Sequence, residues 1–245
     1  NYTKEKFTLI YLSRYKNPKF SKIFQRFCVN FLKIEHIIVD RNKFFKNEKN
    51  FHQTYLIYKL TKKRINVRNP KTFLMLPKYK KVEKNTNTSR ILIHLSGKWI
   101  DENYSENLFI NLIEKLKIYG KLYLTTDNSS REKFKKIYKN YLIINNLNFS
   151  NLSKINNNII ILDKLNFNNW RNIILISRLV ITYECGCVHV ASMSDVPVIV
   201  VYDYDNKPSM INKEYAPLSL KYKKVISKSE LINENILLNL KEFGF

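Results

Sequence analysis

Two short segments of the sequence combine residue types that can hold an anion. The first is Arg178–Asp203, RLVITYECGCVHVASMSDVPVIVVYD. Its apolar run reads as a buried strand to Glu184, followed by a tight turn carrying Gly186 and a short helix from near Val188. A second buried strand is expected just past Pro197. Such a turn aims the backbone N–H groups of Cys185–His189 outward at the start of a helix, where unpaired donors and the helix dipole favour a negative group. Gly186 lets the main chain approach a phosphate closely, and His189, in the first turn, can donate to the same anion. The plainer alternative is a strand–helix turn with a satisfied histidine. The second segment is Ile91–Trp99, ILIHLSGKW. A strand ends there at Ser96–Gly97, Lys98 follows at its carboxyl end, and Trp99 covers the sheet apolarly. An ammonium at Lys98 can neutralise a diphosphate. One lysine among 43 basic residues carries little by itself; its weight comes from the expectation that both segments open on one sheet edge.

The flanking pattern supplies the elements that would position them. Strands are expected at Ile91–Leu95, Lys121–Thr125, Asn158–Leu162, Leu179–Tyr183, Val196–Tyr202 and Lys223–Ile226. Helices are expected at Ser105–Tyr119, Arg131–Tyr141, Asn168–Ser177, near Val188–Ser194 and at Ser229–Phe243. Leu108, Phe109, Leu112, Ile113 and Leu116 fall on one helical face. Near-continuous apolar strands alternating with helices imply a parallel sheet covered on both sides, whose ligands sit beyond the strands' carboxyl ends. Ahead of this lie strand candidates at Phe7–Leu12 and Ile37–Val39 and helix candidates at Lys19–Leu32 and Phe51–Lys63. The polar run Lys78–Arg90 reads as a linker. The expected organisation is a partial N-terminal α/β domain over residues 1–80 and a Rossmann-like domain over 90–245.

Composition narrows the choices. The chain has 245 residues, 44% hydrophobic and 26% charged, the balance of a globular protein. Its four glycines, Gly97, Gly120, Gly186 and Gly244, never share a short window, which excludes a Walker A loop and a GxGxxG dinucleotide turn. Three cysteines without framework spacing argue against a disulfide-built domain and fit a reducing cytoplasm. No apolar run reaches the roughly 18 residues of a membrane span, and no signal peptide is visible at the start. The net charge of +23 attracts polyanions: nucleic acid, anionic lipid or phosphorylated substrates. The same abundance of lysine, asparagine and isoleucine also follows from an AT-rich coding sequence.

The two anion-holding segments resemble the signatures of the lipopolysaccharide heptosyltransferases, glycosyltransferase family 9, in order and separation. That family shows a strand, a small-residue loop and a Lys-Trp element, here His94-Leu95-Ser96-Gly97-Lys98-Trp99. Further on it shows Asp-Ser/Thr-Gly-x-x-His-x-Ala and a Pro-containing strand, here Glu184-Cys185-Gly186-Cys187-Val188-His189-Val190-Ala191 and Val196-Pro197-Val198-Ile199-Val200. The resemblance covers about residues 90–240 and is weaker over 1–76.

The resemblance implies an α/β, GT-B-like enzyme of two Rossmann-like domains, the N-terminal one incomplete. It implies transfer of a heptose-like sugar from a nucleotide-diphosphate sugar to a lipopolysaccharide or other glycan acceptor, metal-independent and inverting. Carried over residue by residue, Ser96, Lys98, Cys185, Gly186 and His189 would hold the diphosphate, and Glu184 and Leu165 would lie by the base and ribose. The donor sugar is a substrate, so no cofactor and no metal is implied. Partners would be that donor, a glycan or lipid-linked acceptor and an anionic membrane surface, without nucleic acid. The expected location is the cytoplasm, peripheral on the inner membrane face. Departures are Glu184 for aspartate, Cys185 for a hydroxyl residue and Ile100 for proline. The family's opening strand and Gly-Asp turn have no counterpart before Phe7, so the catalytic base is unknown.

Three other readings remain open at this point. One is a degenerate relative that binds the nucleotide sugar without catalysis. Another is a basic, aromatic-rich nucleic-acid binder, although no RNP, KH or zinc-finger signature is present. The last is a metal site from Cys185-x-Cys187-x-His189, whose spacing suits a tetrahedral ion poorly.

Overall fold

The computed structural model describes residues 8–11, 35–38 and 89–245, apart from 102–103, 128, 146, 148, 153 and 218–220. The chain divides into two units, Asn1–Leu56 and Ile57–Phe245. In the first, β1 (Thr8–Tyr11) and β2 (Glu35–Ile38) pair in parallel, Thr8 opposite Glu35. The helices expected at Lys19–Leu32 and Phe51–Lys63, and most of the expected linker, lie outside the described residues.

The second unit carries a seven-stranded sheet, formed by β3 (Arg90–Leu95), β4 (Lys121–Thr126), β5 (Leu142–Asn145), β6 (Ile159–Asp163), β7 (Leu179–Tyr183), β8 (Val198–Tyr202) and β9 (Tyr222–Ile226). Their spatial order is β5-β6-β4-β3-β7-β8-β9, and every pairing is parallel. Setting the edge strand β5 aside, the order is that of doubly wound folds. The chain builds outward from β3 through β4 and β6, then returns to β3's other side with β7. This reversal lies between β3 and β7, and it is at the carboxyl ends of such a strand pair that doubly wound folds place their ligand sites.

The central strands form because their residues are apolar and largely β-branched on both faces, which only a doubly covered strand can bury. β7 and β8 are buried along their whole length. On one face, Leu112 and Ile113 of α2 (Glu106–Leu116), Ile137 of α3 (Lys135–Asn140) and Ile236 and Leu240 of α8 (Ile232–Glu242) cover Ile91, Ile93 and Ile181. On the other, Leu152 of α4 (Phe149–Leu152), Ile173 and Ile174 of α5 (Phe167–Ile176) and Val188 and Ala191 of α6 (Gly186–Met193) cover Leu92, Val180 and Val200. Ile211 of α7 (Pro208–Tyr215) packs on the same side.

Local caps set the helix starts. The Ser105 side chain accepts from Leu108 N and the Asn166 side chain from Asn169 N, satisfying donors the helix leaves unpaired. Between α2 and β4, Gly120 adopts φ +147°, and a Cβ there would fall 2.2 Å from Ser89 O, so no side chain fits this turn.

Three elements differ from expectation. β5, α4 and α7 were absent from the sequence reading. β5 is a four-residue edge strand of mixed exposure, and its apolar run, Leu142–Ile144, is too short to mark a strand by itself. α7 is polar, and its one start signal is Pro208 in the first turn. A further difference concerns the site: β7 ends at Tyr183 and α6 begins at Gly186, two residues before Val188. Gly186 is therefore a helical residue and not a turn residue.

Candidate functional site

The end of β3 turns sharply. Ser96 N donates to His94 O at 3.0 Å and Trp99 N to Ser96 O at 3.1 Å, leading into the single turn α1 (Lys98–Asp101). Ser96 is buried, and its hydroxyl lies 3.4 Å from Lys98 N. Gly97 has no room for a side chain: a Cβ would meet Ser130 Oγ at 2.6 Å. That contact comes from the loop after β4, so the glycine answers to a neighbouring strand. Trp99 faces away from solvent, donates Nε1 to His94 O at 3.0 Å and packs against Tyr104, Phe109 and Tyr183. The tryptophan thereby anchors the turn that presents Lys98 on the surface.

Beside it, β7 delivers Glu184 and Cys185 to the first turn of α6. Thr182 stands opposite His94 in register, so the two turns leave the sheet side by side. Cys185 is the residue preceding α6; its side chain makes no cap bond, and its carbonyl accepts from Val188 N at 3.2 Å. Burial pushes its thiol up, and Thr182 Oγ1 sits 3.4 Å from the sulfur. Gly186 is exposed, and a Cβ there would meet nothing within 4 Å. His189 lies in the first turn of α6, half-buried.

The two turns are joined by a direct contact. Lys98 Nζ donates to the carbonyl of Glu184 at 2.8 Å and forms an ion pair with its carboxylate at 2.6 Å. The ammonium therefore bridges the carboxyl ends of β3 and β7, at the reversal of strand order. Of the residues singled out from the sequence, Ser96, Lys98, Glu184, Cys185, Gly186 and His189 lie on these two turns. Leu165 stands apart, after β6, two strands from β3 on the same carboxyl edge and packed against the second core cluster.

Further residues on this edge were not among the candidate site residues. His94 is buried beneath it, 3.1 Å from Thr125 Oγ1 and with its ring 5.6 Å from that of Trp170. Trp170 in turn meets the exposed Phe167 at 5.9 Å, and its Nε1 is buried without a hydrogen-bond partner. Both aromatics occupy the first turn of α5, directly after Leu165. Asp163, nearly enclosed, pairs with Arg131 at 3.0 Å and accepts from Tyr138 OH at 3.1 Å. Helical spacing accounts for Phe167 and Trp170 as parts of α5, but only the sheet order puts them on the edge shared with Lys98.

Burial lowers His94 to about 4, against a smaller opposing pull from Asp127. The folded protein holds this imidazole neutral, while the unfolded chain protonates it near pH 6.5. Stability from this group is fully present above pH 6.5 and falls as the pH drops toward 4. The expected loss between pH 7.5 and 4.5 is about 2–3 kcal/mol. Urea unfolding at both values should show that loss in the parent protein and a smaller one in His94→Gln.

Cys187 is buried in the second core cluster with its thiol pushed well up by burial, so it does not face the sheet edge with Cys185. Among the described residues, no three His, Cys, Asp or Glu side chains are placed to hold a metal ion. The large aromatics Trp99, Tyr104, Tyr123, Tyr202, Phe109 and Phe134 are core residues and form no stacking surface. Among the described residues, no helix is long and apolar enough to cross a membrane.

No family model matches the sequence, and no curated protein does. Solved structures do share its fold. The glycosyl transferase family 9 structure from Veillonella parvula DSM 2008 aligns with TM-score 0.62 at 12% identity, over 98% of this chain and 74% of its own. E. coli heptosyltransferase WaaC with ADP aligns with TM-score 0.56 at 12% identity, over 86% of this chain and 67% of its own. E. coli ADP-heptose lps heptosyltransferase II aligns with TM-score 0.49 at 14% identity, over 65% of this chain and 47% of its own. The chain thus spans about half the length of that last protein. At these identities the likeness concerns architecture: this chain has a family 9 glycosyltransferase-like α/β fold, with the two turns after β3 and β7 side by side where the strand order reverses.

Proposed function

We propose that the second unit binds the diphosphate of a nucleotide sugar at the carboxyl ends of β3 and β7, and that the protein is a glycosyltransferase. The observation that carries this reading is the meeting of Lys98 with Glu184, just ahead of α6, at the reversal of strand order. An ammonium, a histidine and backbone N–H groups at a helix start are the donors a leaving diphosphate requires. The family 9 fold supports the same reading, as does the ADP in the WaaC structure.

In the reaction, the bond from the anomeric carbon to the diphosphate oxygen breaks as the acceptor oxygen bonds to the opposite face of the sugar. Negative charge grows on the leaving phosphate while the sugar gains oxocarbenium character. Lys98, His189 and the amides of Cys185 and Gly186 would meet that charge without a metal, held in place before the reaction begins. Leu165, with Phe167 and Trp170, would flank the nucleobase. The acceptor hydroxyl gives up its proton to a base, for which no residue of this chain is assigned. The acceptor would be a lipopolysaccharide or other glycan, and the charge of +23 would favour work at an anionic membrane surface.

Isothermal titration with ADP- and UDP-sugars tests the site. Lys98→Met is expected to weaken binding about tenfold, as is His189→Ala, the loss of one charge-assisted or polar donor each. Unchanged affinity in both variants would remove the assignment. Turnover of a bound donor with a glycan acceptor then separates an enzyme from a relative that only binds.

A further inference from the structure

Glu184 poses a problem for an anion site. Its carboxylate lies 2.6 Å from the one ammonium on the edge of β3 and β7 that the proposed function assigns to phosphate. A fixed negative charge there repels any phosphate that approaches. The lysine does not need the carboxylate for anchorage alone, because the Glu184 carbonyl already accepts from Nζ at 2.8 Å. An ammonium has three donors, and two are taken by Glu184. One is left for a ligand, and its charge is offset before the ligand arrives.

We propose that Glu184 is a specificity-determining residue: it neutralises Lys98 in the unliganded protein and favours diphosphates whose attached groups bring hydroxyl donors to the carboxylate. Bare pyrophosphate taking the third donor of Lys98 offers the carboxylate at most its own P–OH, on an ion whose remaining negative charges the carboxylate repels. A nucleoside diphosphate sugar carries ribose and sugar hydroxyls, and one of these can donate to Glu184 as the phosphate engages Lys98. The pair thus converts a general anion site into one that disfavours free pyrophosphate. This inference rests on the proposed diphosphate site, and its test separates the two.

The 245-residue chain and its Glu184→Gln, Lys98→Met and double variants are titrated with inorganic pyrophosphate and with ADP-glucose. Glu184→Gln is expected to bind pyrophosphate about fivefold tighter, a modest factor because the ion pair is partly open to solvent. ADP-glucose is expected to gain less or to weaken, so the preference for the sugar nucleotide shrinks. In the Lys98→Met background the gain should vanish, a coupling that a merely structural role of Glu184 does not produce. Unchanged or weaker pyrophosphate binding in Glu184→Gln, or a gain that persists without Lys98, overturns the inference. Should Glu184→Gln fail to fold, Glu184→Ala reads the same sign. If the parent protein and Lys98→Met bind both probes alike, the diphosphate site itself is wrong and this inference falls with it. If Lys98 matters and charge removal at Glu184 brings no gain, only the inference is lost.

Discussion

Trp99→Ala is expected to destabilise the second unit by about 3–5 kcal/mol, the usual range for emptying a large aromatic site in a packed core. The ring is completely enclosed and makes edge or tilted contacts with Tyr104, Phe109 and Tyr183 at 4.8 to 5.5 Å. Its Nε1 donates to His94 O, so the variant also removes one of the two donors on that carbonyl and leaves Ser96 N as the other. A loss of this size is a large share of a typical domain's stability. Urea unfolding of Trp99→Ala and Trp99→Phe separates the contributions. Phenylalanine keeps much of the packing and should lose about 1–2 kcal/mol, chiefly the hydrogen bond. An alanine variant within 1 kcal/mol of the parent would mean that Trp99 does not anchor the β3 turn.

Gly186→Ala is expected to act in the opposite sense on stability and strongly on binding. Gly186 is the first residue of α6, a Cβ there would meet nothing within 4 Å, and its φ lies outside the left-handed range. The folded chain therefore has no steric need for glycine, and alanine should stabilise it by about 0.5–1 kcal/mol through helix preference and a less flexible unfolded state. The open space in front of this residue is where a diphosphate would reach the amides of Cys185 and Gly186. A methyl group there holds the anion away from two charge-assisted hydrogen bonds, so affinity for ADP-sugars should drop about a hundredfold. Thermal melts and titrations on one preparation read both effects. A variant that is more stable yet binds as the parent does would place the anion elsewhere.

These two expectations also mark what was legible beforehand. Trp99 and Gly186 both stood out in the sequence, Trp99 as an apolar cover for the sheet and Gly186 as a turn residue. The first expectation matches its complete burial; the second needed revision, because α6 starts at Gly186. A glycine after an apolar strand reads as a turn, and nothing local announces that helical geometry begins on it. The same limit hid β5 and α7: one is a short edge strand of mixed exposure, the other a polar helix with a single proline as its start signal. The buried strands β3, β7 and β8 were read nearly to the residue, since a doubly covered strand must be apolar throughout.

The sequence by itself determined the alternating α/β architecture, the apolar faces that build its two core layers, and the two segments singled out as a candidate site. Those properties follow from local residue type and periodicity, which each stretch of chain carries alone. Only the tertiary structure decided that Lys98 spends two of its donors on Glu184, that Cys187 turns into the core, and that Phe167 and Trp170 share the edge with both turns. Lys98 and Glu184 are 86 positions apart, and the order in which parallel strands assemble sets their contact. Sheet order arises from packing whole layers against one another, so no short window of sequence records it.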